Sequence, residues 1–485
     1  MDKRLINYNT KGRDQNTELA FLKSALTFQN PFNTTEQVLE WVQERNRQVH
    51  VNIERIPFDK MRNWSLDEKK EKLLHSSGSF FSIEGINVKT NWGLVPDWDQ
   101  PIINQPEIGF LGIITKEVSG ILYFLLQAKI EPGNVNNVQL SPTLQATKSN
   151  YTKVHKGKAP AYLEYFTNRT RSVVLLDQLQ SEQGARFLKK RNRNIIIKIN
   201  EEIEILDDFC WLTLGQIKDL MRFDNVVNMD TRTVVSGISF GNHSDETVNF
   251  FNLINDGVSG VGAQFLASDL NSEVSLYSFD EIIHWFTDLK VKYDLNIKSI
   301  PLNAVRDWLI EDNCIRHVDN KFFSVIGVHV EISSREVTNW DQPLVAPVQE
   351  GICAFIVKEI DGILHFLVQA KLESGNFDIL EMAPTLQCLT GSYHNENSLQ
   401  TLPYLDYVLN ASSEEIIFDT LQSEEGGRFY REQNRNMVLL VGKNFSQEVP
   451  ENYIWMTLNQ LKIFIKFNNY LNIQARSLIS AISYN

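Results

Sequence analysis

The sequence predicts an α+β protein in which one domain is used twice. Two observations carry this. Long strings recur at a fixed offset, and within them apolar residues alternate on a two-residue period, with few helical stretches between. Trp98-Asp-Gln-Pro101 recurs as Trp340-Asp-Gln-Pro343, an offset of 242. At that offset KEVSGILYFLLQAKIE (116–131) faces KEIDGILHFLVQAKLE (358–373), with 11 of 16 positions identical. DQLQSEQGARFLKKRNRN (177–194) faces DTLQSEEGGRFYREQNRN (419–436), with 11 of 18 identical. The offset becomes 244 at both ends, where Trp64 faces Trp308 and Arg232 faces Arg476. The repeats are therefore 36–239 and 280–485, each large enough to hold its own core.

Taken in chain order, residues 1–35 form an extension carrying Leu19, Phe21, Leu22, Leu26 and Phe28, which predicts one extra packing helix. Phe80 to Val88 alternates as a half-buried strand. Ile108 to Thr115 and Gly120 to Lys129 read as two buried strands joined by a tight turn, marked in the second copy by Asp361-Gly362. Val173 to Leu176 and Ile195 to Ile199 are further strands, and Ser181 to Lys190 and Leu214 to Phe223 are predicted helices. Residues 240–279, with scattered glycines and small polar residues, have the composition of a linker or insertion. Hairpins with few crossover helices predict a mostly antiparallel sheet flanked by helices.

Composition narrows the function classes. The chain has 485 residues, 42% of them hydrophobic and 22% charged, which excludes a disordered polymer. Its 47 basic and 60 acidic residues leave a net charge of −13, which argues against a nucleic-acid binder but leaves room for a local basic pocket. The four cysteines are scattered, without metal-ligand spacing, as expected of free thiols in a reducing compartment. No signal-like segment opens the sequence and no apolar run approaches a membrane span, so the expectation is a soluble, cytoplasmic protein.

Candidate site residues are the polar ones repeated in or beside apolar strands. Gln127 and Lys129 face Gln369 and Lys371 and alternate with apolar neighbours, so each pair points to one sheet face; an idle solvated face accounts for them equally well in one copy. Gln145 faces Gln387 within Pro-Thr-Leu-Gln, and Tyr151 faces Tyr393. Ser181 reads as a helix N-cap ahead of Glu182 and Arg186, with Arg193 and Asn194 beyond; Ser423, Glu424, Arg428, Arg435 and Asn436 repeat the set. An anion held by the helix start and the arginines explains this cluster, whereas an i,i+4 Glu182–Arg186 pair explains only two of its members. Trp98 and Trp340 either stack on a base or cap the core. His155, His284, His329, His365 and His394 lack a counterpart histidine, and no zinc, P-loop or dinucleotide fingerprint is present, so neither metal nor cofactor is expected.

The strings Trp98-Asp-Gln-Pro101, Leu-Leu-Gln-Ala-Lys-Ile-Glu-Pro-Gly-Asn (125–134), Leu-Ser-Pro-Thr-Leu-Gln-Ala-Thr (140–147), Gln-Ser-Glu-Gln-Gly-x-Arg-Phe (180–187) and Met-Asp-Thr-Arg (229–232) resemble the bacterial NDP-hexose 2,3-dehydratases of deoxysugar biosynthesis, over about residues 30–485. The resemblance implies two Nudix-like domains, a homodimer, and a substrate such as dTDP-4-keto-6-deoxyglucose that loses water across C-2 and C-3. A C-4 ketone acidifies the C-3 proton, so one base, one acid and donors at the enolate oxygen suffice, without a cofactor. The product, a 3,4-diketo sugar nucleotide, passes to a ketoreductase. The Nudix metal-binding cluster is absent from the helices expected around Glu182 and Glu424.

Carried onto this sequence, the reading makes Glu182, Glu424, Tyr151 and Tyr393 the acid/base candidates. Lys129, Lys371, Arg186, Arg428, Arg193 and Arg435 would serve phosphates or the enolate, and Gln127, Gln145, Gln369 and Gln387 the sugar or base. Glu107, which faces Gln349, and the unmatched His155 mark a difference between the copies. Two alternatives stand beside the lyase: a non-catalytic nucleotide-sugar binder and a metal-dependent nucleotide hydrolase.

Overall fold

The computed structural model describes all residues except 1–16, 68, 70, 79, 148–159, 169, 241–259, 272, 335–336 and 390–401. Two seven-stranded mixed sheets and two five-stranded antiparallel sheets, with helices packed on them, give an α+β architecture in two similar halves. In the first mixed sheet Val173–Ser181, Arg191–Ile199, Gly109–Val118, Ile121–Ile130 and Phe209–Thr213 lie in that order. Arg191–Ile199 runs parallel to Gly109–Val118, and the other neighbours are antiparallel. The second mixed sheet repeats this, with Gln433–Val441 parallel to Gly351–Ile360. The expected tight turns are present: Ser119 and Gly120 have φ of 51° and 80°, and Asp361 and Gly362 have 51° and 82°, the left-handed pair a two-residue hairpin needs.

The strand Ile121–Ile130 shows how sequence sets the layers. Leu122, Phe124 and Leu126 point to the large core that packs the two halves together, while Leu125 points to a smaller core on the opposite face. Burial of a side chain such as Phe124 stabilises by roughly 2–3 kcal/mol. Gln127 and Lys129 continue the Leu125 face beyond that smaller core, which leaves them over a cavity.

The five-stranded sheets exchange strands. Val51–Ile56, from the first repeat, pairs antiparallel with Phe323–Ile332 of the second, Val51 opposite Ile332. Leu295–Ile300 returns the exchange, pairing with Ser82–Thr90 of the first. One buried cluster also joins Leu111, Ile113 and Phe124 to Phe355, Phe366 and Met456. Each repeat also keeps a core of its own, around Leu125 in the first and Leu367 in the second, but the large shared core and the exchanged strands interleave the two.

Residues 240–279 are not simply a linker, since they include the helix Gly260–Leu270. Ser268 Oγ donates to the Leu364 carbonyl and accepts from Leu458 N. Ser24, in the expected N-terminal helix Thr17–Ala25, does the same with Leu122 and Leu214. The two helices are thus counterparts at the 244 offset. A glycine that suggested a linker has a packing cause: a Cβ on Gly262 would lie 2.6 Å from the Tyr484 backbone.

The helix expected over Ser181 to Lys190 is absent. Ser181 ends the strand Val173–Ser181, and residues 182–190 form a loop closed by Glu182 N donating to the Lys190 carbonyl at 3.0 Å. Antiparallel pairing of Ser181 with Arg191 overrides the cap-like Ser-Glu sequence. The loop reaches into the other half, where Gly375 N donates to the Gly184 carbonyl at 2.6 Å; Gly133 N meets the Gly426 carbonyl at 2.7 Å in the reciprocal contact. A Cβ on Gly133 would sit 1.6 Å from the Phe429 oxygen, so only glycine fits. Phe187 and Phe429 meet edge to face at 5.7 Å where the two loops cross. No helix among the described residues is long and apolar enough to cross a membrane.

Candidate active site

A cavity of about 680 Å³ lies against the first mixed sheet. Its floor includes Gln127, Lys129, Glu131 and Gln145, and its wall Glu182, Lys190 and Asn192. The second half closes it with Trp340, Gln342, Glu425 and Arg428, delivered by its five-stranded sheet and by the loop that crosses over. The site is therefore composite, and the exchanged architecture is what builds it.

Three carboxyls converge here. Oxygens of Glu131, Asp230 and Glu425 lie within 4.8 Å of one another. Glu131 directly follows the hairpin strand and accepts from Gln145 Nε2 at 2.9 Å, with Lys129 Nζ 3.8 Å away. Asp230 sits in the first turn of the helix Met229–Ser236, whose N-cap is Asn228. Glu425 accepts from Gly427 N within its own loop at 3.1 Å. Glu131 Oε2 and Asp230 Oδ1 are buried without a hydrogen-bond partner, so both are open to a ligand, a proton or water.

Electrostatics follows from this crowding. Burial, then the charges of Glu425, Glu131 and Glu182, holds Asp230 well above the ordinary carboxyl range. Burial and the neighbouring Glu131 push Glu425 up to about 8. Like charges this close are not all ionised together, so Asp230 and Glu425 hold their protons more tightly than exposed carboxyls do. Burial also raises Glu182, against the pull of Arg476 and Lys190; Asn192 Nδ2 donates to its Oε1 at 2.7 Å. Burial brings Lys190 down to about 8. Arg428, lowered by burial, stacks on Phe81 at 4.1 Å and donates from Nε to Gln105 at 3.1 Å. The carboxyl spacing is also one that a divalent cation can bridge.

The equivalent place in the second half is built differently. There Glu373 accepts from Gln387 at 2.9 Å and Lys371 donates to the Gln387 carbonyl, repeating the first half. At the positions of Asp230 and Glu425 stand Gln474 and Gln183, and at that of Lys190 stands Glu432. Gln183 donates to Glu424, which also accepts from Asn434. Burial pushes Glu424 up to about 8. Arg186 belongs to this side, over the Phe323 ring at 4.3 Å.

Of the residues singled out from the sequence, Gln127, Lys129, Gln145, Glu182, Trp340 and Arg428 line the first cavity. Trp98, Arg186, Gln369, Lys371, Gln387 and Glu424 hold the matching positions on the second side. Trp98 Nε1 donates to Gln100, as Trp340 Nε1 does to Gln342. Tyr151, Tyr393 and His155 lie outside the described residues.

The rest are placed elsewhere. Arg193 and Arg435 pair with Asp177 and Asp419, and neither lines the first cavity. Ser181 is no helix cap: its oxygens accept from Arg476, which is fully buried, and its Oγ donates to Glu381. Ser423 mirrors it, its carbonyl accepting from Arg232 at 2.6 Å. Asn194 donates to Thr233 at 3.2 Å and Asn436 to the Asn434 carbonyl at 2.9 Å, both buried away from the cavity. Glu107 contributes its backbone carbonyl to Lys190.

Sequence reasoning gave no role to Asp230, Glu425, Glu131 or Lys190. The signal was available in the aligned copies as differences, Asp230 against Gln474, Glu425 against Gln183 and Lys190 against Glu432, rather than as identities.

The family model for NDP-hexose 2,3-dehydratase matches residues 35–238 and again 279–482. A dTDP-4-dehydro-6-deoxy-alpha-D-glucopyranose 2,3-dehydratase of Saccharopolyspora spinosa is 44% identical over 467 residues, covering 96% of this chain and 95% of that protein. Proteins of the same name from Streptomyces violaceoruber and Amycolatopsis orientalis are 42% and 39% identical, covering 91% and 95% of this chain and 95% and 92% of their own lengths. The chain belongs to the NDP-hexose 2,3-dehydratase family, whose members are lyases.

Proposed function

From this membership we propose that the chain removes water across C-2 and C-3 of dTDP-4-keto-6-deoxyglucose, in deoxysugar biosynthesis, and that it does so in the first-half cavity. The observation that carries the placement is the carboxyl cluster of Glu131, Asp230 and Glu425, two of whose members are amides on the other side. Dehydration needs a base for the C-3 proton and an acid for the departing C-2 hydroxyl. Carboxyls this close, with Asp230 and Glu425 raised, supply both, because one can be ionised while a neighbour keeps its proton.

The C-3 proton moves to an ionised carboxylate and its electrons delocalise onto the C-4 oxygen. When they return, the C-2–O bond breaks and the hydroxyl leaves as water, taking a proton from a neutral carboxyl. The resulting C-2=C-3 enol takes a proton at C-2 and loses the hydroxyl proton to give the 3-ketone. Arg428, Lys129 and the mouth residue Arg62, held by Asp341 at 3.1 Å, supply positive charge suited to a diphosphate. Trp340 offers a face on which a base can stack.

Each half is in this reading a Nudix-like unit, supported by the parallel pair at the centre of its mixed sheet. A second copy of the chain and a ketoreductase acting on the diketo product complete it. A second reading keeps the site and puts a divalent cation on the three carboxylates, as their spacing permits. Mass spectrometry of dTDP-4-keto-6-deoxyglucose incubated with the protein and EDTA separates these. Loss of one water with the nucleotide intact supports the carboxyl cluster as acid and base. Water loss abolished by EDTA and restored by magnesium supports the cation, and release of nucleotide monophosphate overturns both.

A further inference from the structure

Four cationic side chains line the first cavity: Arg62, Lys129, Lys190 and Arg428. Three have a cationic counterpart in the other half, namely Arg306, Lys371 and Arg186. Functions common to both sides, such as attraction of a diphosphate, therefore fall to those three. Lys190 stands alone, because its counterpart is Glu432. It is present where Asp230 and Glu425 are present and replaced where they are replaced. Three independent differences meet in one cavity.

The position of Lys190 is fixed. It closes the crossing loop, its carbonyl accepting from Glu182 N at 3.0 Å, and the chain then enters the strand Arg191–Ile199. The residue is only 5% exposed, so its ammonium does not reach bulk water. Nζ donates to the Glu107 carbonyl, which takes one of three donors. Glu182, Glu425, Glu107 and Arg428 are the charges that act on it. An ammonium held this way, in a cavity where an enolate is to form, stabilises charge where it develops and needs little reorganisation.

Resting on the dehydratase reading of this cavity, we propose that Lys190 donates to the C-4 carbonyl oxygen of the substrate and carries the enolate charge. As the C-3–H bond breaks, the proton goes to a cluster carboxylate and the electron pair moves onto the C-4 oxygen beside Nζ. When that pair returns and the C-2–O bond breaks, the hydrogen bond relaxes to that of a ketone. Lys190 loses no proton over the cycle. Burial lowers its proton affinity, so the ammonium is a strong donor that is still charged at neutral pH.

The test uses the full chain with Lys190→Met and Lys190→Arg, measuring kcat and KM for water loss against pH, and release of deuterium from C-3-deuterated substrate. Lys190→Met is expected to lower kcat by about 10²–10³-fold and deuterium release equally, with KM within about threefold, since one preorganised donor is removed. Lys190→Arg is expected to restore part of the rate, because a guanidinium keeps both the charge and a donor at this place. Unchanged kcat in Lys190→Met, or a loss confined to KM, overturns the proposal. If Lys190→Met does not fold, Lys190→Gln, which keeps a donor for the Glu107 carbonyl, takes its place, and unchanged kcat in that variant overturns the proposal. Failure of the unmodified chain to release water refutes the underlying reading instead, so the two failures are distinguishable.

Discussion

Glu425→Gln is the perturbation whose outcome the site constrains most tightly. It gives the first cavity the residue that the second half already carries at the equivalent position, Gln183, so the loop is expected to keep its fold. It removes one of three carboxyls whose oxygens lie within 4.8 Å, and with it the proton that Glu425 holds. Positioned acid–base groups contribute about 10²–10⁴-fold, so kcat for water loss is expected to fall by that factor, equivalent to about 3–5 kcal/mol of barrier. Stability has its own sign. A carboxyl raised to about 8 binds its proton more tightly folded than unfolded, so its contribution is full below the ordinary carboxyl pKa and is lost as pH rises through about 8. Glu425→Gln should therefore flatten the fall in stability between pH 5 and 8 while abolishing most turnover. The assay is chromatography of the nucleotide sugar with a reductase trap, beside urea melts at several pH values. Turnover within threefold of the unmodified chain refutes the reasoning.

Three further outcomes follow from the interleaved halves. Arg232→Ala leaves Gln422, the Ser423 carbonyl and the Val227 carbonyl without a fully buried donor, and should lower stability by about 3–5 kcal/mol in urea titration; a loss under 1 kcal/mol contradicts the interface described. Lys218, buried beside Lys462 and Asp269, has its pKa lowered to about 7, so the penalty on the folded state is full below that value and fades as pH rises towards 10.5. The unmodified chain should accordingly gain stability from pH 7 to 9.5 from this group, and Lys218→Met should flatten that rise; equal slopes in the two proteins contradict it. Residues 17–240 expressed alone lack Leu295–Ile300 beside Ser82–Thr90 and should not yield a folded monomer, whereas a monomer with a cooperative melt would contradict the strand exchange.

The duplication, the hairpin strands and the sheet face bearing Gln127 and Lys129 were legible because a period of two and a repeated string are local signals. Strand exchange was not, because Val51–Ile56 has the same sequence whichever half it pairs with, and only tertiary packing decides. The false helix at Ser181 came from a cap-like Ser-Glu followed by an i,i+4 pair, a local preference that antiparallel pairing with Arg191 overrides. The site was half legible for a related reason. Identities between copies mark what both halves need for folding, such as Ser181, Ser423, Arg232 and Arg476, which hold the halves together. Chemistry confined to one cavity shows instead as departures from identity.

The claim that carboxyls shared between the halves perform the elimination is tested most directly by release of deuterium from C-3-deuterated dTDP-4-keto-6-deoxyglucose in EDTA. The unmodified chain is compared with an Asp230→Asn, Glu425→Gln double variant, which imposes the amide character of the second side on the first. The account predicts deuterium release and water loss from the unmodified chain and neither at a comparable rate from the variant, with both proteins equally folded. Deuterium release retained by the variant would contradict it.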